Sequence, residues 1–502
     1  MRGSAASAAR PLTPFGEVLV PFGHDVGVSM RVVVVGAGIA GLAAARALCQ
    51  SAPEGTEVLL VEGSTRIGGK LRVSPVAGID VDEGAEAMLC RAPEGVALAT
   101  EVGLTDAITH PVTTSASVLA DGVRRRLPAG TVMGIPAGAE AVGDSGLFSE
   151  QTLARLVAEP DLPGRPLGED EDVAVGALVA ERLGRQVVER LVDPLLGGVY
   201  AGRADLLSLR ATVPTLATAL TRTGSLVRAV RHLRSTTPTA GGPVFATLRG
   251  GLGSLPDAVV RAGGPQVRLG LPVRDIRRTP TGFRLTAGPV PTPTYLDADA
   301  VVVAVPAAKA AGMLTGVAPW AAAELRAIEY ASVAVVTLAY QGVTFPSTSG
   351  VLVPAGEGRA VKAVTFSSVK WRHLADGDRL VLRASVGRYG DQRMLHRDDS
   401  ELTDLVAGEV AGLAGLRSGP IGARVTRWGG ALPQYAVGHL DRVRRIEAAT
   451  SRVPGLAVCG AAYRGVGVPA CIRSGHQAAA QVSIFLRGEA ESRYGRRTTQ
   501  GA

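Results

Sequence analysis

The sequence has very little lysine: among its 502 residues, lysine occurs only at positions 70, 309, 362 and 370. Arginine therefore carries nearly all of the positive charge, and the formal net charge is +8. Aromatic residues are also scarce, at 4%, and 45 acidic residues are interspersed with the basic ones. Since nucleic-acid binding needs clustered positive charge and stacking aromatic rings, this composition argues against a nucleic-acid partner. The excess of arginine would suit a small anionic substrate.

Cysteine is equally rare, with single residues at positions 49, 90, 459 and 471. Their spacing fits neither a disulfide framework nor a zinc site, so we predict no metal and a reducing, cytoplasmic location. Every apolar stretch is interrupted by arginine or a glycine-rich turn before it reaches the length of a membrane span. Residues 1–29 lack the apolar core of a signal peptide. We expect them to be either a disordered extension or a misplaced start before Met30, and we expect 491–502 to be a disordered tail.

Glycine is abundant, with 64 residues, and its first cluster predicts a dinucleotide-binding turn. The β-branched run Arg31–Val35 is typical of a buried parallel strand. The segment Gly36-Ala-Gly-Ile-Ala-Gly41 follows, and an alanine-rich helix is predicted from Leu42 to Cys49. The first glycine of the segment would permit a tight turn, the second a close approach to pyrophosphate, and the third packing of the helix on the sheet. The helix N-terminus would offer N–H groups to the phosphates.

Two features after this turn predict FAD rather than NAD. The second strand, Glu57–Val61, ends on Glu62, which stands 21 residues beyond Gly41. A carboxylate in that place accepts hydrogen bonds from ribose hydroxyls. The doublet Gly68-Gly69 then gives the backbone a second close approach, as a cofactor that extends from adenosine to a buried flavin ring requires.

The end of the chain has the same kind of elements as its beginning. A strand is predicted at Leu456–Cys459, followed by a glycine-rich turn and an alanine-rich helix from about Ile472 to Leu486. Such a turn can direct the N-terminus of its helix at the pyrimidine edge of a flavin, where negative charge develops on reduction. We therefore predict that both ends of the chain build one cofactor domain.

The middle of the chain predicts a second domain and an insert. Helical spacing recurs over 146–235, and β-rich sequence after residue 250 predicts strands at 271–276, 301–305, 334–340 and 379–386. The predicted fold class is α/β, with a Rossmann-like FAD-binding domain built from separated segments, a mixed-sheet substrate domain and a mostly helical insert. The predicted FAD-binding domain comprises 30–112, 236–305 and 426–490, the substrate domain 113–145 and 306–425, and the insert 146–235.

The segments Gly63–Arg72 and Asp82–Ala87 resemble the amine-oxidase superfamily of flavoproteins. Four further motifs resemble those of one member of it, the protoporphyrinogen/coproporphyrinogen oxidase family. They occur in family order and are Leu127–Pro136, Asp193–Gly202, Trp428–His439 and Gly460–Pro469. Ala470 departs from the pattern, because many relatives carry Asp there. The preference for arginine over lysine, with abundant alanine and glycine, indicates a high-GC bacterial source. Such Gram-positive bacteria typically use the coproporphyrin-dependent heme route.

The resemblance implies which residues contact FAD. They are Gly36, Gly38, Ile39, Ala40, Gly41, Leu42, Glu62, Gly63, Arg66, Gly69, Lys70, Gly84, Ala85, Glu86, Ala87, Val273, Trp428, Gly460, Ala461, Val466, Gly467 and Val468. Lys70, Tyr463 and Arg464 are candidates for binding the substrate. Arg124–Arg126, in a predicted hairpin, are either a solvated face or contacts to substrate carboxylates. No catalytic residue is assigned, because an electron-rich macrocycle needs placement over the flavin rather than a dedicated base.

The implied activity is the oxygen-dependent, six-electron oxidation of coproporphyrinogen III to coproporphyrin III in heme biosynthesis, with release of hydrogen peroxide. A two-electron flavin would turn over three times. Protoporphyrinogen IX is the alternative substrate, and a flavin-bearing porphyrin carrier without turnover is an alternative of another class. An amine oxidase or polyene desaturase on the same scaffold also stays open, although few aromatics are available for the aromatic cage of an amine oxidase. The resemblance further implies a downstream ferrochelatase and peripheral membrane contact through the helical insert.

Overall fold

The computed structural model describes residues 30–236 and 242–500, so the extension predicted over 1–29 lies outside the described residues. A five-stranded parallel sheet joins segments that are far apart in sequence. Its strands, in spatial order, are Gln266–Arg268, Glu57–Val61, Arg31–Val35, Ala300–Val303 and Leu456–Val458. The central strands are almost entirely valine and leucine because parallel strands of this kind are buried on both faces.

Each face of this sheet has its own hydrophobic core. One face packs on the helices Ile39–Ser51, Glu94–Glu101, Leu255–Arg261 and Val468–Gln500. The other face packs on a three-stranded antiparallel sheet, Val273–Thr279, Gly282–Ala287 and Thr294–Ala298, and on the helices Ala307–Leu314, Pro319–Arg326 and His439–Ser451. The first and last helices of the chain therefore lie side by side on one face.

A seven-stranded mixed sheet forms the second layer of strands. Its order is Gly422–Pro433, Tyr330–Gln341, Arg379–Val386, Val361–Thr365, Gly350–Leu352, Ser117–Ala120 and Val123–Arg126. All neighbouring pairs are antiparallel except Gly350–Leu352 with Ser117–Ala120. The helix Asp399–Ala414 covers one face of this sheet.

The segment predicted as a helical insert is helical and has its own core. Its helices are Glu150–Ala158, Val175–Leu183, Arg185–Val187, Asp193–Tyr200, Leu209–Thr212, Pro214–Thr223 and Leu226–Thr236, with a π-helical turn at Val188–Val192. Glu159 is fully buried in this core and pairs with Arg182 at 2.9 Å. Its carboxylate also accepts the N–H groups of Leu226 and Val227 at 2.9 and 3.2 Å, and so satisfies the free start of the last helix.

Shorter elements connect these layers. The remaining strands are Val73–Val76 with Ile79–Asp82, Met88–Leu89 and Ile108–Thr109 on either side of Phe245–Leu248, and Thr131–Val132 with Ile135–Pro136. A short α-helix spans Ser367–Lys370. The 3-10 helices are Thr105–Ala107, Ala139–Ala141, Gly143–Ser145, Glu159–Asp161, Leu252–Ser254, Ala355–Glu357, Arg372–Leu374 and Arg393–His396.

The structure shifts several predicted boundaries. The first helix begins at Ile39 rather than Leu42, because the extended backbone at Gly38 ends the turn directly before it. The strand predicted at 271–276 lies at Val273–Thr279, and the one predicted at 301–305 ends at Val303. The last helix begins at Val468 and runs to Gln500. The prediction of a disordered tail is therefore wrong for 491–500, where no proline interrupts the helix.

Within the described residues, no helix combines the length and the apolar character that crossing a membrane requires.

Candidate functional site

The first glycine turn has two packed glycines and one open glycine. Gly36 has φ of +104°, and a Cβ there would lie 2.6 Å from the carbonyl oxygen of Ala304. A Cβ on Gly41 would lie 1.9 Å from the carbonyl oxygen of Gly36. Around Gly38, by contrast, no atom lies within 4 Å of an ideal Cβ. Gly36 and Gly41 are thus required by the fold, whereas Gly38 faces open space of the kind a phosphate would fill.

The first helical turn presents its backbone rather than its side chains to that space. Ile39, Ala40 and Leu42 are buried, with exposed fractions of 9%, 6% and 0%. Their side chains belong to the core beneath the sheet. A cofactor at this turn would therefore meet the free N–H groups of the helix start.

Glu62 is held beside the turn by two backbone donors. Its Oε2 accepts the N–H of Ala37 at 2.8 Å, and its Oε1 accepts the N–H of Ser64 at 2.8 Å. A carboxylate oxygen can accept more than one hydrogen bond, so both oxygens retain capacity for ribose hydroxyls. The carbonyl of Glu62 accepts the N–H of Leu271 at 2.9 Å, which places the predicted contact Val273 close to this corner, although its own side chain is in the core.

The second glycine loop packs directly against the first. Gly68 donates its N–H to the carbonyl of Ala37 at 2.7 Å, and a Cβ on Gly69 would lie 3.2 Å from the Cα of Gly38. Gly68 and Gly69 have φ of +96° and +57°, in the left-handed region that favours glycine. The guanidinium of Arg66 donates to the carbonyl of Gly69 at 2.7 Å. Arg66 therefore braces the loop from within the protein.

Lys70 follows this loop. Among the charged residues predicted to contact FAD, it is the one whose charged group has no partner in the described part of the chain. Its ammonium makes no hydrogen bond or ion pair within 30–236 and 242–500. Burial lowers the pKa of Lys70, and the nearby Cys471 partly opposes that effect. A partly buried cation without a partner gains strongly from an anionic or hydrogen-bonding ligand.

The loop Asp82–Ala87 joins the cofactor turns to the seven-stranded sheet. A Cβ on Gly84 would lie 2.0 Å from the carbonyl oxygen of Lys70 and 3.4 Å from Cζ2 of Trp428. Trp428 in turn donates its indole N–H to the carbonyl of Glu83 at 2.9 Å. Of the two alanines in the loop, Ala85 packs on the core of the first glycine turn and Ala87 on a small core beside Trp371.

Glu86 was predicted to contact FAD, but its carboxylate is held by two cations of the second domain. Oε1 lies 2.7 Å from the ammonium of Lys370, and Oε2 lies 2.6 Å from the guanidinium of Arg383. Burial by itself raises the pKa of Glu86, but Lys370 and Arg383 more than offset it and bring the pKa to about 2. The contact of Glu86 with FAD stays a prediction, and its carboxylate also joins the cofactor segment to Lys370 and Arg383.

The hydroxyl of Tyr435 bridges two residues of the closing turn. Its hydroxyl donates to the carbonyl of Ala461 at 2.6 Å and accepts the N–H of Gly465 at 2.8 Å. Gly460 has φ of +126°, and its N–H donates to the hydroxyl of Ser474 at 3.0 Å. No atom lies within 4 Å of an ideal Cβ at Gly460, so the turn again borders open space.

The remaining predicted contacts surround the start of the last helix. Gly467 is exposed, and its carbonyl accepts the N–H of Cys471 at 3.0 Å. Val468 begins the helix and is buried, while Val466 packs on the core of the helical insert. The insert, the closing turn and the cofactor segment therefore meet at this point.

Two substrate candidates lie in a different place from the glycine turns. Tyr463 and Arg464 line a cleft of about 430 Å³ between the helices His439–Ser451 and Val468–Gln500. The guanidinium of Arg464 is paired with Glu447 at 2.6 Å. Tyr463 is buried, and its carbonyl accepts the Nε2–H of His439 at 2.9 Å. The contact of these two residues with substrate stays a prediction that this geometry does not favour.

The arginine run of the predicted hairpin lies on the edge strand of the seven-stranded sheet. The guanidinium of Arg124 donates to the carbonyl of Leu413 at 2.9 Å, at the end of the helix that covers the sheet. A Cβ on Gly146 would lie 2.4 Å from the guanidinium of Arg125. These contacts support packing rather than recognition of substrate.

Sequence reasoning missed three residues that shape the site: Tyr435, Lys370 and Arg383. Tyr435 stands inside the motif Trp428–His439, but its partners lie 26 and 30 residues further along the chain, so the motif does not indicate a bridging hydroxyl. Lys370 and Arg383 carried no signal either, because their partner Glu86 lies almost 300 residues away.

Comparison with known proteins decides the family. The pattern that defines the flavin containing amine oxidoreductases matches residues 39–483. The chain belongs to this family. The chain is thus a flavin-dependent oxidoreductase. It is similar to the coproporphyrinogen III oxidase of Mycobacterium tuberculosis (strain ATCC 25618 / H37Rv), with 41% identity over 89% of this chain and 96% of the relative.

Two further comparisons agree with this assignment. The coproporphyrinogen III oxidase of Bacillus subtilis (strain 168) is 31% identical over 91% of this chain and 98% of the relative. A crystal structure of a protein from Exiguobacterium sp. 255-15 matches with a TM-score of 0.81 and 30% identity, covering 91% of this chain and 99% of that chain.

Proposed function

We propose that this enzyme oxidises coproporphyrinogen III to coproporphyrin III in heme biosynthesis, with FAD as cofactor, dioxygen as electron acceptor and hydrogen peroxide as the second product. The observation that carries the proposal is the 41% identity to the mycobacterial coproporphyrinogen III oxidase over nearly the whole of both chains. The removal of six electrons from one substrate would require three rounds of a two-electron step.

The residues at both ends of the chain fit FAD. Open space at Gly38 and Gly460 provides room for backbone contact, and Glu62 stands where it can accept ribose hydroxyls. The helices that begin at Ile39 and Val468 present free N–H groups. When bound, FAD supplies a two-electron acceptor that dioxygen can reoxidise.

The chain contributes binding and orientation rather than a dedicated base. Lys70 would place its unpaired ammonium beside the cofactor and substrate, where it can donate a hydrogen bond or hold a carboxylate. Trp428 and the loop at Gly84 would close the space between the cofactor and the seven-stranded sheet. Placement of the substrate over the flavin is the main catalytic contribution expected here.

Three finer expectations accompany the proposal. The FAD-binding domain would be assembled from 30–112, 236–305 and 426–490, and each of these segments provides at least one strand of the five-stranded sheet. The helical insert would make peripheral membrane contact. A ferrochelatase would take up the product.

The decisive experiment compares coproporphyrinogen III and protoporphyrinogen IX on one preparation of enzyme under air. Porphyrin fluorescence and peroxide should appear with a higher kcat/KM for coproporphyrinogen III. A higher value for protoporphyrinogen IX would transfer the proposal to that substrate. Under anaerobic conditions, coproporphyrinogen III should bleach the flavin absorbance. Binding without bleaching would instead identify a porphyrin carrier.

A further inference from the structure

A small internal cavity lies where the cofactor segment meets the seven-stranded sheet. About 10 Å³ of this cavity is open to the centre of a water-sized molecule. Asp82 and Glu86 line it from the cofactor segment, Thr247 from the strand that follows the helical insert, and Trp371 and His373 from the segment that leads into the sheet. Three widely separated parts of the chain therefore share this cavity.

Three polar atoms of the lining lack a partner. Thr247 and Trp371 are each 1% exposed. The Thr247 hydroxyl, the Trp371 indole N–H and Nδ1 of His373 make no hydrogen bond within the part of the chain that the structure describes. Buried polar atoms in folded proteins are nearly always hydrogen-bonded, either to protein or to ordered water. Three such atoms around one cavity therefore indicate a ligand that is not part of the chain.

Asp82 is fixed at the cavity by two backbone donors. Its carboxylate accepts the N–H groups of Leu252 and Gly253 at 3.1 Å each, and the residue is 7% exposed. Each oxygen of a carboxylate can accept more than one hydrogen bond. Asp82 therefore keeps the capacity to accept a hydrogen bond from a donor in the cavity.

The charges around the cavity favour a neutral ligand. The acids Asp82 and Glu86 are accompanied by two cations, because Lys370 and Arg383 pair with Glu86 at 2.7 and 2.6 Å. Burial lowers the pKa of His373 below its ordinary value of 6.5, so its imidazole carries no charge at pH 7. An additional ion in the cavity would be a buried charge without a counter-ion of its own, which is costly.

Water fits both the size of the cavity and the chemistry of its lining. A space on the order of 10–15 Å³ holds a single water molecule. An indole N–H can only donate a hydrogen bond, whereas a carboxylate can only accept one. A ligand between Trp371 and Asp82 must therefore both accept and donate, as water does. Buried waters have about three polar partners, and the three unpaired atoms together with Asp82 are enough to supply them.

We propose that the cavity binds one ordered water molecule, which accepts the N–H of Trp371, shares a hydrogen bond with the hydroxyl of Thr247 and donates to the carboxylate of Asp82. Nδ1 of His373 is a further partner. The water connects the loop that contains Asp82 and Glu86 to the segment that leads into the second sheet, and so supplements the ion pairs of Glu86. This inference does not rest on the proposed function, because it concerns the folded chain and neither substrate nor turnover.

A crystal structure of the flavin-loaded enzyme tests the site directly. One water should lie about 2.7–3.2 Å from the Thr247 hydroxyl and from the indole nitrogen of Trp371. In Thr247→Val, which replaces the hydroxyl with a methyl group of similar size, the density for this water should be weaker or absent. A wild-type cavity without density, in a map that shows other buried waters, would overturn the proposal, and so would density larger than one water.

Stability provides a second test, because the water reverses the sign of the effect. If Thr247 binds the water, Thr247→Val should raise the equilibrium constant for urea unfolding about 3-fold to 10-fold, as for the loss of one net hydrogen bond. Removal of an unpaired hydroxyl should instead leave this constant unchanged or lower it. Tyr340→Phe is the matched control, since the Tyr340 hydroxyl is buried, is unpaired among the described residues and lies outside the cavity. Equal effects of the two substitutions would contradict the water site.

Discussion

Gly475 lies so close to Ala40 that an ideal Cβ on Gly475 would stand 2.3 Å from the carbonyl oxygen of Ala40. This contact joins the helix after the first glycine turn, Ile39–Ser51, to the helix after the closing turn, Val468–Gln500. Because each helix starts at its own turn, the spacing of the two axes sets the distance between the turns. A side chain at residue 475 would therefore move the two helices, and with them the two turns, apart.

We therefore expect Gly475→Ala to destabilise the enzyme, although alanine normally favours a helix. The added Cβ has to push two packed helices apart, and overpacking of this kind costs about 1–3 kcal/mol. The closing turn would move with its helix, so the flavin content should fall as well. Tm and the flavin-to-protein absorbance ratio measure both effects.

Gly408→Ala is the matched control for this substitution. Gly408 lies inside the helix Asp399–Ala414, and no atom is within 4 Å of an ideal Cβ there. Alanine at that position should stabilise by up to about 1 kcal/mol, the difference in helix propensity between the two residues. Shifts of equal sign in the two variants would show that the contact between Gly475 and Ala40 does not limit the approach of the helices.

Substitutions at two glycines of the first turn should separate an effect on cofactor binding from an effect on folding. Gly38 has φ of −70° and open space around it, so Gly38→Ala should change the unfolding free energy of the apoprotein by no more than about 0.5 kcal/mol. The new methyl group would occupy the space of the pyrophosphate, so we expect the flavin Kd to rise at least about tenfold, which corresponds to about 1.4 kcal/mol.

Gly41→Ala should behave in the opposite way, because its Cβ would lie 1.9 Å from the carbonyl oxygen of Gly36. Gly41→Ala should lower the stability of the apoprotein, which is measured as a lower midpoint of urea unfolding before any flavin is added. Wild-type flavin affinity in Gly38→Ala would contradict the placement of the cofactor at this turn.

The sequence predicted those parts of the fold that depend on local patterns. The buried strands Arg31–Val35, Glu57–Val61 and Arg379–Val386 have the predicted bounds, because β-branched and aliphatic runs bounded by glycine or charge indicate strands directly. The helical insert was recognised from its spacing for the same reason. The helix over 491–500 was not predicted, because this polar segment lacks the periodically spaced apolar residues that indicate a helix.

The parts of the site that depend on contacts between distant segments could not be predicted. Glu86 was predicted to contact the cofactor because its loop resembles a flavin loop, but that resemblance does not indicate that its carboxylate also pairs with Lys370 and Arg383. No pattern in one sequence reports which cation meets which acid across such a separation. The bridging role of the Tyr435 hydroxyl was missed for a related reason, because its partners lie 26 and 30 residues further along the chain.

The two buried tyrosines near the closing turn should respond differently to loss of their hydroxyl. The Tyr435 hydroxyl bridges Ala461 and Gly465, so Tyr435→Phe leaves a partly buried carbonyl and a partly buried N–H without this partner. We expect a loss of about 1–3 kcal/mol and weaker flavin binding. The unfolding free energy in urea and a flavin titration provide the measurements.

Tyr463→Phe is the matched substitution. The Tyr463 hydroxyl is buried and has no hydrogen-bond partner within the described part of the chain, so its removal should be neutral or slightly stabilising. A fall in kcat/KM without a change in stability would instead assign Tyr463 to the substrate, as the sequence resemblance predicts. Equal destabilisation of both variants would contradict the bridging role of Tyr435.

The ion cluster around Glu86 should make stability depend on pH in a known direction. Burial alone raises the pKa of Glu86, but Lys370 and Arg383 bring it to about 2 in the folded protein, below its ordinary value of 4.5. A carboxyl with a lowered pKa contributes stability that is present above pH 4.5 and is lost as the pH falls toward 2. At pH 7, Glu86→Gln leaves both cations buried without their counter-ion, which costs about 3–5 kcal/mol.

The difference in unfolding free energy between wild type and Glu86→Gln should therefore be largest near pH 7 and should shrink as the pH falls below 4.5. The contribution of Asp82 to the unfolding free energy depends on pH in the opposite direction. Burial raises the pKa of Asp82 to about 6, so this stabilisation is present below its ordinary pKa of 3.8 and is lost as the pH rises through 6. The charge of Glu86 also raises the pKa of Asp82, so part of the difference between the two proteins from pH 3.8 to 6 belongs to Asp82. Glu447→Gln, which breaks the surface pair with Arg464, should cost less than about 1 kcal/mol. If Glu86→Gln and Glu447→Gln cost the same at pH 7, the buried cluster does not hold the cofactor segment to the second sheet.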